Sequence, residues 1–138
     1  MRPRIYRPHL LLRLGVAAGL VGWMLVTAVA AGLPELSLDV VLKSAGFSLF
    51  FTMLGGHYLP MEFEVTDAGV IRRTLFGERR ISFSDVKAIQ VLPMALMVSY
   101  GIQTRRMVMA FTSFIAGHRE MLQLIAERAH VQPQRDAI

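Results

Sequence analysis

Residues Phe63–Val91, FEVTDAGVIRRTLFGERRISFSDVKAIQV, decide the fold of the second half of the chain. The segments MEFEV, VIRRTLF, ERRISF and AIQVLP alternate or concentrate apolar residues as strands do. Between them, TDAG and FG are turn sequences, because glycine accepts backbone angles that other residues avoid. Ser84 is placed to cap a short helical turn through Lys87. The stretch therefore predicts antiparallel strands joined by tight turns.

The remaining residues of this half complete a small α+β domain, which we place at residues 61–130. ALMVSYG and RMVMAF supply two more strands, with Gly101–Thr104 as a loop between them. Over Gly117–Ala129 the apolar residues recur at helical spacing, namely at Met121, Leu122, Ile125 and Ala129. We expect a bent antiparallel sheet closed by one C-terminal helix and followed by a disordered tail over residues 131–138.

The first half of the chain is apolar enough for lipid. The whole sequence is 54% hydrophobic and 18% charged, with a mean hydropathy of +0.46, which is unusual for a water-soluble domain. Residues 10–33 and 40–59 carry one charge each. As helices they would extend about 36 Å and about 30 Å, enough to cross a hydrocarbon core of about 30 Å. We predict a transmembrane α-helical hairpin over residues 10–60, preceded by a basic cytoplasmic tail over residues 1–9.

Two other interpretations of the apolar stretches are weaker. A chain of 138 residues has too little protein to surround two all-round apolar helices as core elements. A cleaved secretory signal is suggested by the early arginines and by AVA at Ala28–Ala30, but the apolar run exceeds the usual signal length of about 7 to 15 residues. The basic residues before and after the hairpin, against an acidic link at residues 34–39, place both termini of a multi-pass protein in the cytoplasm.

The first span contains small residues that permit close helix approach, namely Gly15, Ala18, Gly19 and Gly22. The contact that they make lies either within the hairpin or with another subunit. Four ionisable groups also lie near the spans, namely Arg13, Asp39, Lys43 and His57. All four are at interfacial depth rather than mid-membrane, which favours anchoring over an ion pathway.

The segment Phe63–Val91 resembles the bacterial pleckstrin-homology-like (PH-like) domain of small membrane proteins. It has a strand, a Gly turn, a strand, an aromatic-Gly turn, an Ile-x-Phe-x-Asp-Val segment and an Ile-rich strand. HREMLQLIAERA, His118–Ala129, is similar to that family's C-terminal helix, and two N-terminal transmembrane helices accompany the domain in the family. The resemblance implies a non-catalytic interaction domain at the inner membrane of a bacterium. It departs from the family at Pro93–Phe114, which is short for the usual number of later strands.

The residue types present give no basis for enzyme or metal chemistry. The chain has no cysteine, which excludes thiol nucleophiles, thiolate metal sites and disulfides. Its four histidines lack metal-ligand spacing, and Glu62 and Glu64 share the solvent face of one strand. Residues 61–138 carry ten basic and eight acidic groups, too nearly neutral for a nucleic-acid-binding surface. We expect no catalytic residue, cofactor, metal, small-molecule substrate or nucleic acid.

Three arginine pairs remain as a candidate site for an anionic lipid or partner. They fall in or beside predicted hairpin turns and comprise Arg72 and Arg73, Arg79 and Arg80, and Arg105 and Arg106. The alternative is a solvated basic strand face on the cytoplasmic side. Adjacent strand residues point to opposite faces, so one member of each pair at most can join a given surface.

Three functions are open at this point. The one we favour is a membrane-anchored module for protein interaction or self-assembly. Its predicted contact surface is rich in methionine and comprises Met94, Met97, Met107 and Met109. The alternative for these four residues is that they pack in the core of the domain. The second is an accessory subunit of a larger membrane complex, and the third is a sensor of anionic lipid headgroups. All three have the lipid bilayer as a partner, and the first two predict a homo-oligomer or a membrane-protein partner.

Overall fold

The computed structural model describes residues 2–135 of the chain, which divide into two compact units. The helical unit comprises residues 10–61. The other unit, here called the sheet domain, combines residues 2–9 with residues 62–135. The helical unit is therefore inserted into the sequence of the sheet domain, after its first few residues.

Two helices form the helical unit, α1 over Leu10–Gly32 and α2 over Leu38–Tyr58. Both are long and apolar enough to cross a membrane, with mean hydropathies of 2.0 and 1.4. Only 11% of each apolar window is buried, whereas a core helix of a soluble protein is buried over most of its surface. The bounds agree with the predicted spans to within two residues.

The two helices pack along one face of each. Trp23 stacks on Phe47 with ring centroids 4.5 Å apart, and Thr27 Oγ1 lies 2.8 Å from Ser48 Oγ. These contacts bury aromatic surface. Because the Thr27 hydroxyl donates its proton to the Trp23 carbonyl, it accepts the hydrogen bond from Ser48.

The first four strands of the sheet domain form one antiparallel sheet in chain order. They are β1 (Arg4–Tyr6), β2 (Glu62–Val65), β3 (Gly69–Thr74) and β4 (Gly77–Ser82). Strands β2 to β4 confirm the three predicted from MEFEV, VIRRTLF and ERRISF. Strand β1 corrects the prediction of a basic tail over residues 1–9, because its residues pair with β2 across a separation of about sixty positions.

The second sheet has the order β7-β6-β5-β8. Its strands are β5 (Val86–Pro93), β6 (Val98–Thr104), β7 (Val108–Thr112) and β8 (Pro133–Arg135). Residues 101–104, predicted as a loop, belong to β6, and the turn lies after them. Strand β8 pairs in parallel with β5, so residues 133–135 are not the disordered tail that was predicted from residue 131, while residues 136–138 lie outside the described part of the chain.

A 3-10 turn over Phe83–Asp85 joins the two sheets, and helix α3 spans His118–Ala129. The turn begins after Ser82 and has no side-chain cap, so the predicted capping by Ser84 is wrong. Helix α3 matches the prediction, and its residues Met121 and Ile125 are fully buried. They join a core drawn from both sheets, in which the fully buried large side chains also include Phe63, Val70, Ile89, Ile102, Met109 and Ile115.

The sheet domain has two distinguishable ends. At the end here called the connection end, residues 7–9 lead into α1 and residues 59–61 arrive from α2. Backbone hydrogen bonds from His9 to Phe114 and from Ala116 to Arg7, each 2.8 Å long, join the two sheets there. The opposite end, here called the distal end, carries the turns at residues 66–69 and 104–107. Because β6 has seven residues, its two ends lie about 20 Å apart.

Candidate functional site

The first two arginine pairs are divided between the two faces of the first sheet. Arg72 pairs in register with Arg79, Arg73 with Glu78, and Arg80 with Ile71. Since side chains alternate along a strand, Arg73 and Arg80 lie on the outer face, and Arg72 and Arg79 lie on the face that carries the core.

The outer face holds a balanced network of three arginines and three glutamates. Arg73 is at its centre, with Nη1 2.6 Å from Glu64 Oε2 and 3.2 Å from Glu62 Oε1, and with Nε 3.1 Å from Glu78 Oε2. Arg7 donates to Glu62 at 2.8 Å, and Arg80 donates to Glu78. The carboxylates of Glu62 and Glu64 are thus engaged by arginines rather than simply solvated.

Hydrogen bonds within this network shift the pKa values of its members. The bond from Arg7, reinforced by Arg73, lowers the pKa of Glu62. The bond from Arg80, and then that from Arg73, lowers the pKa of Glu78, while the bond to Glu78 raises the pKa of Arg73. Each shift favours the charged form, so the network is a set of satisfied ion pairs and offers no free cation to a ligand.

Arg72 and Arg79 form a like-charged pair directly across β3 and β4, in line with the buried pair Val70 and Ile81. Burial, and then the charge of Arg79, lowers the pKa of Arg72. Within residues 2–135 neither guanidinium has an ion-pair partner. Like charges directly opposite each other on a sheet are destabilising, so this pair is a position where an external anion would be favourable.

The third arginine pair lies at the distal end, in the turn that joins β6 to β7. Thr104 organises this turn: its Oγ1 accepts hydrogen bonds from the backbone N–H groups of Arg106 and Met107 at 3.3 Å and 3.0 Å. It also donates to the Met107 carbonyl at 2.9 Å. The two central side chains, Arg105 and Arg106, are left exposed to solvent. Both line one cleft, so the prediction that at most one member of each pair can join a given surface is wrong for this pair, because it lies in a turn and not in a strand.

A cleft of about 390 Å³ brings this turn together with the edge of the first sheet. It is lined by three arginines, one carboxylate and three further residues, namely Arg80, Arg105, Arg106, Asp85, Thr104, Ile81 and Met107. The cleft lies beside β4, which is an edge strand. Since Arg80 is already paired with Glu78, the excess positive charge of the cleft comes from the turn.

The small residues of α1 are divided between two surfaces. A side chain at Gly19 would place its Cβ 2.2 Å from Phe51 Cε1, so this glycine permits the close contact with α2. Gly15 and Gly22 have no described atom within 4 Å of such a Cβ, and Ala18 is exposed. Gly19 therefore serves packing within the hairpin, while the other three face outward.

The four methionines do not form one surface. Met109 is buried in the core, which agrees with the alternative prediction that the methionines pack inside the domain. Met94 and Met97 lie in the loop between β5 and β6, and Met107 lies at the other end of β6. The predicted methionine-rich contact surface is therefore wrong as a single patch.

Sequence reasoning missed the exposed apolar residues at hairpin tips. Leu75, Phe76, Met94 and Leu96 are largely exposed. The signal that could have found the first two is present in TLFG, where leucine and phenylalanine occupy the central positions of a turn.

The comparisons with known proteins leave the family open. No family model matches the chain, and no curated protein is significantly similar to it. Within the part of the chain that the structure describes, no group of three or more His, Asp or Glu side chains could hold a metal ion. The function of the chain therefore has to be inferred from the geometry of the arginines and of the hairpin tips.

Proposed function

We propose that the chain is a non-catalytic, membrane-anchored module of the PH-like type, at the inner face of a bacterial membrane. Its sheet domain binds an acidic segment of a protein partner in the cleft formed by Arg80, Arg105 and Arg106. The observation that carries this proposal is the exposure of Arg105 and Arg106 in this cleft, beside an open strand edge and next to the already paired Arg80. An extended acidic peptide could add to such an edge through main-chain hydrogen bonds while its carboxylates pair with the arginines.

The pairing of β1 with β2 supports the membrane anchor. Strand β1 precedes both apolar helices and β2 follows them, and Arg4 is opposite Val65 in the sheet. Two strands can pair in this way only if they lie on the same side of a bilayer, which requires an even number of crossings between them. Two spanning helices meet that requirement, and the positive-inside rule favours the cytoplasmic side.

The surroundings of the cleft favour a protein partner over a lipid headgroup. The cleft lies beside the edge strand β4, whose main-chain groups can pair with an extended peptide. A lipid headgroup has no such backbone to pair with the strand.

To test this proposal, the full-length chain is cross-linked to its partners in native membranes and then purified. The amount of partner recovered with it is measured. Arg106→Glu should abolish recovery of the stoichiometric partner, because it reverses a charge at the cleft. Arg119→Glu is the matched control, since it makes the same change at an exposed position of α3 and should leave recovery unchanged. Recovery that is equal in both variants contradicts the proposed cleft, and release of the chain by alkaline carbonate contradicts the anchor.

The outward face of α1 favours a second candidate function, that of an accessory subunit in a membrane complex. Gly15, Ala18 and Gly22 leave room there for close approach by another helix. Gly22→Leu should then remove a membrane-embedded partner while the partner that depends on Arg106 is retained. Full recovery of both partners excludes this second candidate.

A further inference from the structure

Three hairpin turns of the sheet domain begin with threonine and share one hydrogen bond, from Thr Oγ1 to the carbonyl three residues later. The distances are 3.1 Å at Thr66–Gly69, 3.3 Å at Thr74–Gly77 and 2.9 Å at Thr104–Met107. At the distal end the central residues are Asp67–Ala68 and Arg105–Arg106, and three of these four are charged. At the connection end the central residues are Leu75–Phe76, both large and apolar.

The Leu75–Phe76 turn lies beside the point where the chain enters from α2. Glu62, the first residue of β2, pairs in register with Arg73, and the turn follows directly after Thr74. Leu75 is 66% exposed and Phe76 is 85% exposed. Only three residues separate Tyr58 from Glu62, a reach of about 14 Å between these two Cα atoms when fully extended.

A second apolar tip lies at the same end. The loop between β5 and β6 carries Leu96, 91% exposed, and Met94, 57% exposed. The next strand begins at Val98, whose backbone N–H and carbonyl bond to Ser113, and the neighbouring Phe114 carbonyl accepts the bond from His9. Because α1 begins at Leu10, immediately after His9, this tip and the first one share the connection end.

The charge behind the first tip is complementary to a phosphate-rich surface. Arg72 and Arg79 lie three residues from Leu75 and Phe76, respectively, on the two strands of that hairpin, directly opposite each other. A lipid phosphate between them would relieve their mutual repulsion, while the leucine and phenylalanine beyond them enter the acyl boundary. Apolar tips and basic residues at one end of a domain match the layering of a bilayer interface.

We propose that the sheet domain docks onto the bilayer through the Leu75–Phe76 and Met94–Leu96 tips, with Arg72 and Arg79 contacting lipid phosphates. This inference rests on the proposed membrane anchor and adds a second, lipid-binding surface to the module. Docking fixes the orientation of the domain, so that the arginine cleft at the distal end points away from the membrane.

The test uses the absence of cysteine from the chain, which allows one dye to be attached at a single introduced cysteine. Full-length Leu75→Cys and Ala68→Cys are labelled with an environment-sensitive dye and reconstituted in vesicles of phosphatidylcholine with or without phosphatidylglycerol. Ala68 is the matched position, because it is exposed at the centre of the corresponding turn at the distal end. The dye at position 75 should be several-fold less accessible to iodide and should be quenched by spin-labelled lipid, whereas the dye at position 68 should show neither effect.

Substitutions then separate docking from local structure. Phe76→Asp together with Leu96→Asp should raise iodide access at position 75 to the level of position 68, while Val108→Asp, which charges an exposed apolar residue beside the distal turn, should not. Arg79→Gln should lower the docked-to-undocked ratio about fivefold in anionic vesicles, the equivalent of one interfacial arginine, and little in neutral ones.

Equal iodide access at positions 75 and 68 in wild-type background overturns the inference. Carbonate extraction and the Arg106→Glu capture test report separately on the anchor and on the cleft, so docking can fail while both of those hold. Quenching by spin-labelled lipid that survives Phe76→Asp with Leu96→Asp also overturns it, because the contact would then not depend on the tips.

Discussion

The connection end and the distal end of the sheet domain are built from the same parts and carry opposite chemistry. Both have a threonine-led turn in the first sheet and a hairpin loop in the second. The distal turns present Asp67, Arg105 and Arg106, whereas the connection-end loops present Leu75, Phe76 and Leu96. Since the backbone arrangement of the turns is shared, the difference lies in the surroundings that each end has to meet. The polar end matches the proposed charged partner, and the apolar end matches the proposed contact with lipid.

Both ends of the sheet domain are held in place by one hydrophobic core. A substitution in that core should therefore cause the largest loss of stability. Phe63 is fully buried in the first sheet, and its ring lies 5.9 Å from that of Phe111 in the second. Phe63→Ala should lower the free energy of unfolding of the sheet domain by about 3 to 5 kcal/mol. Chemical denaturation followed by circular dichroism in detergent measures this, with the exposed Val108→Ala as a near-neutral control. An effect below that of Val108→Ala would contradict a core shared by the two sheets.

The glycines that end two of the threonine-led turns offer the next test, because they are needed for different reasons. A Cβ at Gly69 would lie 1.9 Å from the backbone carbonyl oxygen of Ile81, while a Cβ at Gly77 meets no described atom within 4 Å. Gly77 instead has φ of +132°, which disfavours other residues. Gly69→Ala should therefore destabilise the domain by about 3 kcal/mol through displaced strands, and Gly77→Ala by about 1 to 2 kcal/mol through backbone strain. Thermal unfolding of the two variants should keep this order, and the reverse order would contradict it.

The strands with one buried face could be predicted from sequence, and the features that depend on distant residues could not. Phe63, Val65 and Ile81 alternate with polar neighbours, so the period identifies β2 and β4, and the turn sequences on either side then bound β3. Strand β1 is only three residues long and exists because β2 supplies its hydrogen bonds. Strand β8 begins with Pro133, a residue that does not predict a strand. It forms because the edge of β5 is free to pair with it.

The candidate site shows the same limit. Alternation predicts that the first two arginine pairs are split between the two faces of the sheet. It does not predict that Arg80 meets Arg105 and Arg106, because they belong to two hairpins that are not neighbours in sequence. The charges of Arg73 and Arg80 are neutralised by three glutamates, namely Glu62, Glu64 and Glu78. This pairing depends on the strand register, which cannot be predicted from composition. Sequence could name the cations, and only the fold shows which of them remain unpaired.

Threonine substitutions give a smaller and more local comparison of the two ends. Thr104 Oγ1 takes part in three hydrogen bonds within its turn, and Thr74 Oγ1 takes part in one, to the Gly77 carbonyl. Thr104→Val should lower the free energy of unfolding by about 1 kcal/mol, and Thr74→Val by about half of that. Denaturant titration of both variants measures the difference. Equal losses would contradict the predicted difference, because the two additional hydrogen bonds of Thr104 would then add no stability.

Acid titration compares ion pairs at the two ends and has the smallest expected effect. At the connection end, the bonds from Arg7 and Arg73 lower the pKa of Glu62 below its ordinary value of 4.5. At the distal end, the bond from Arg128 lowers the pKa of Asp67 below 3.8.

A carboxyl group with a lowered pKa in the folded state binds protons more readily when the protein is unfolded. Its stabilising contribution is therefore present above its ordinary pKa and is lost as the pH falls through its pKa in the folded state. Glu62→Gln should therefore flatten the fall in stability that begins below about pH 4.5, whereas Asp67→Asn should change it less, because Asp67 is more exposed to screening solvent. Denaturation midpoints measured from pH 6 down to pH 3 test this order. A greater flattening by Asp67→Asn than by Glu62→Gln would contradict it, because the ion pairs at the connection end would then not be the better-shielded ones.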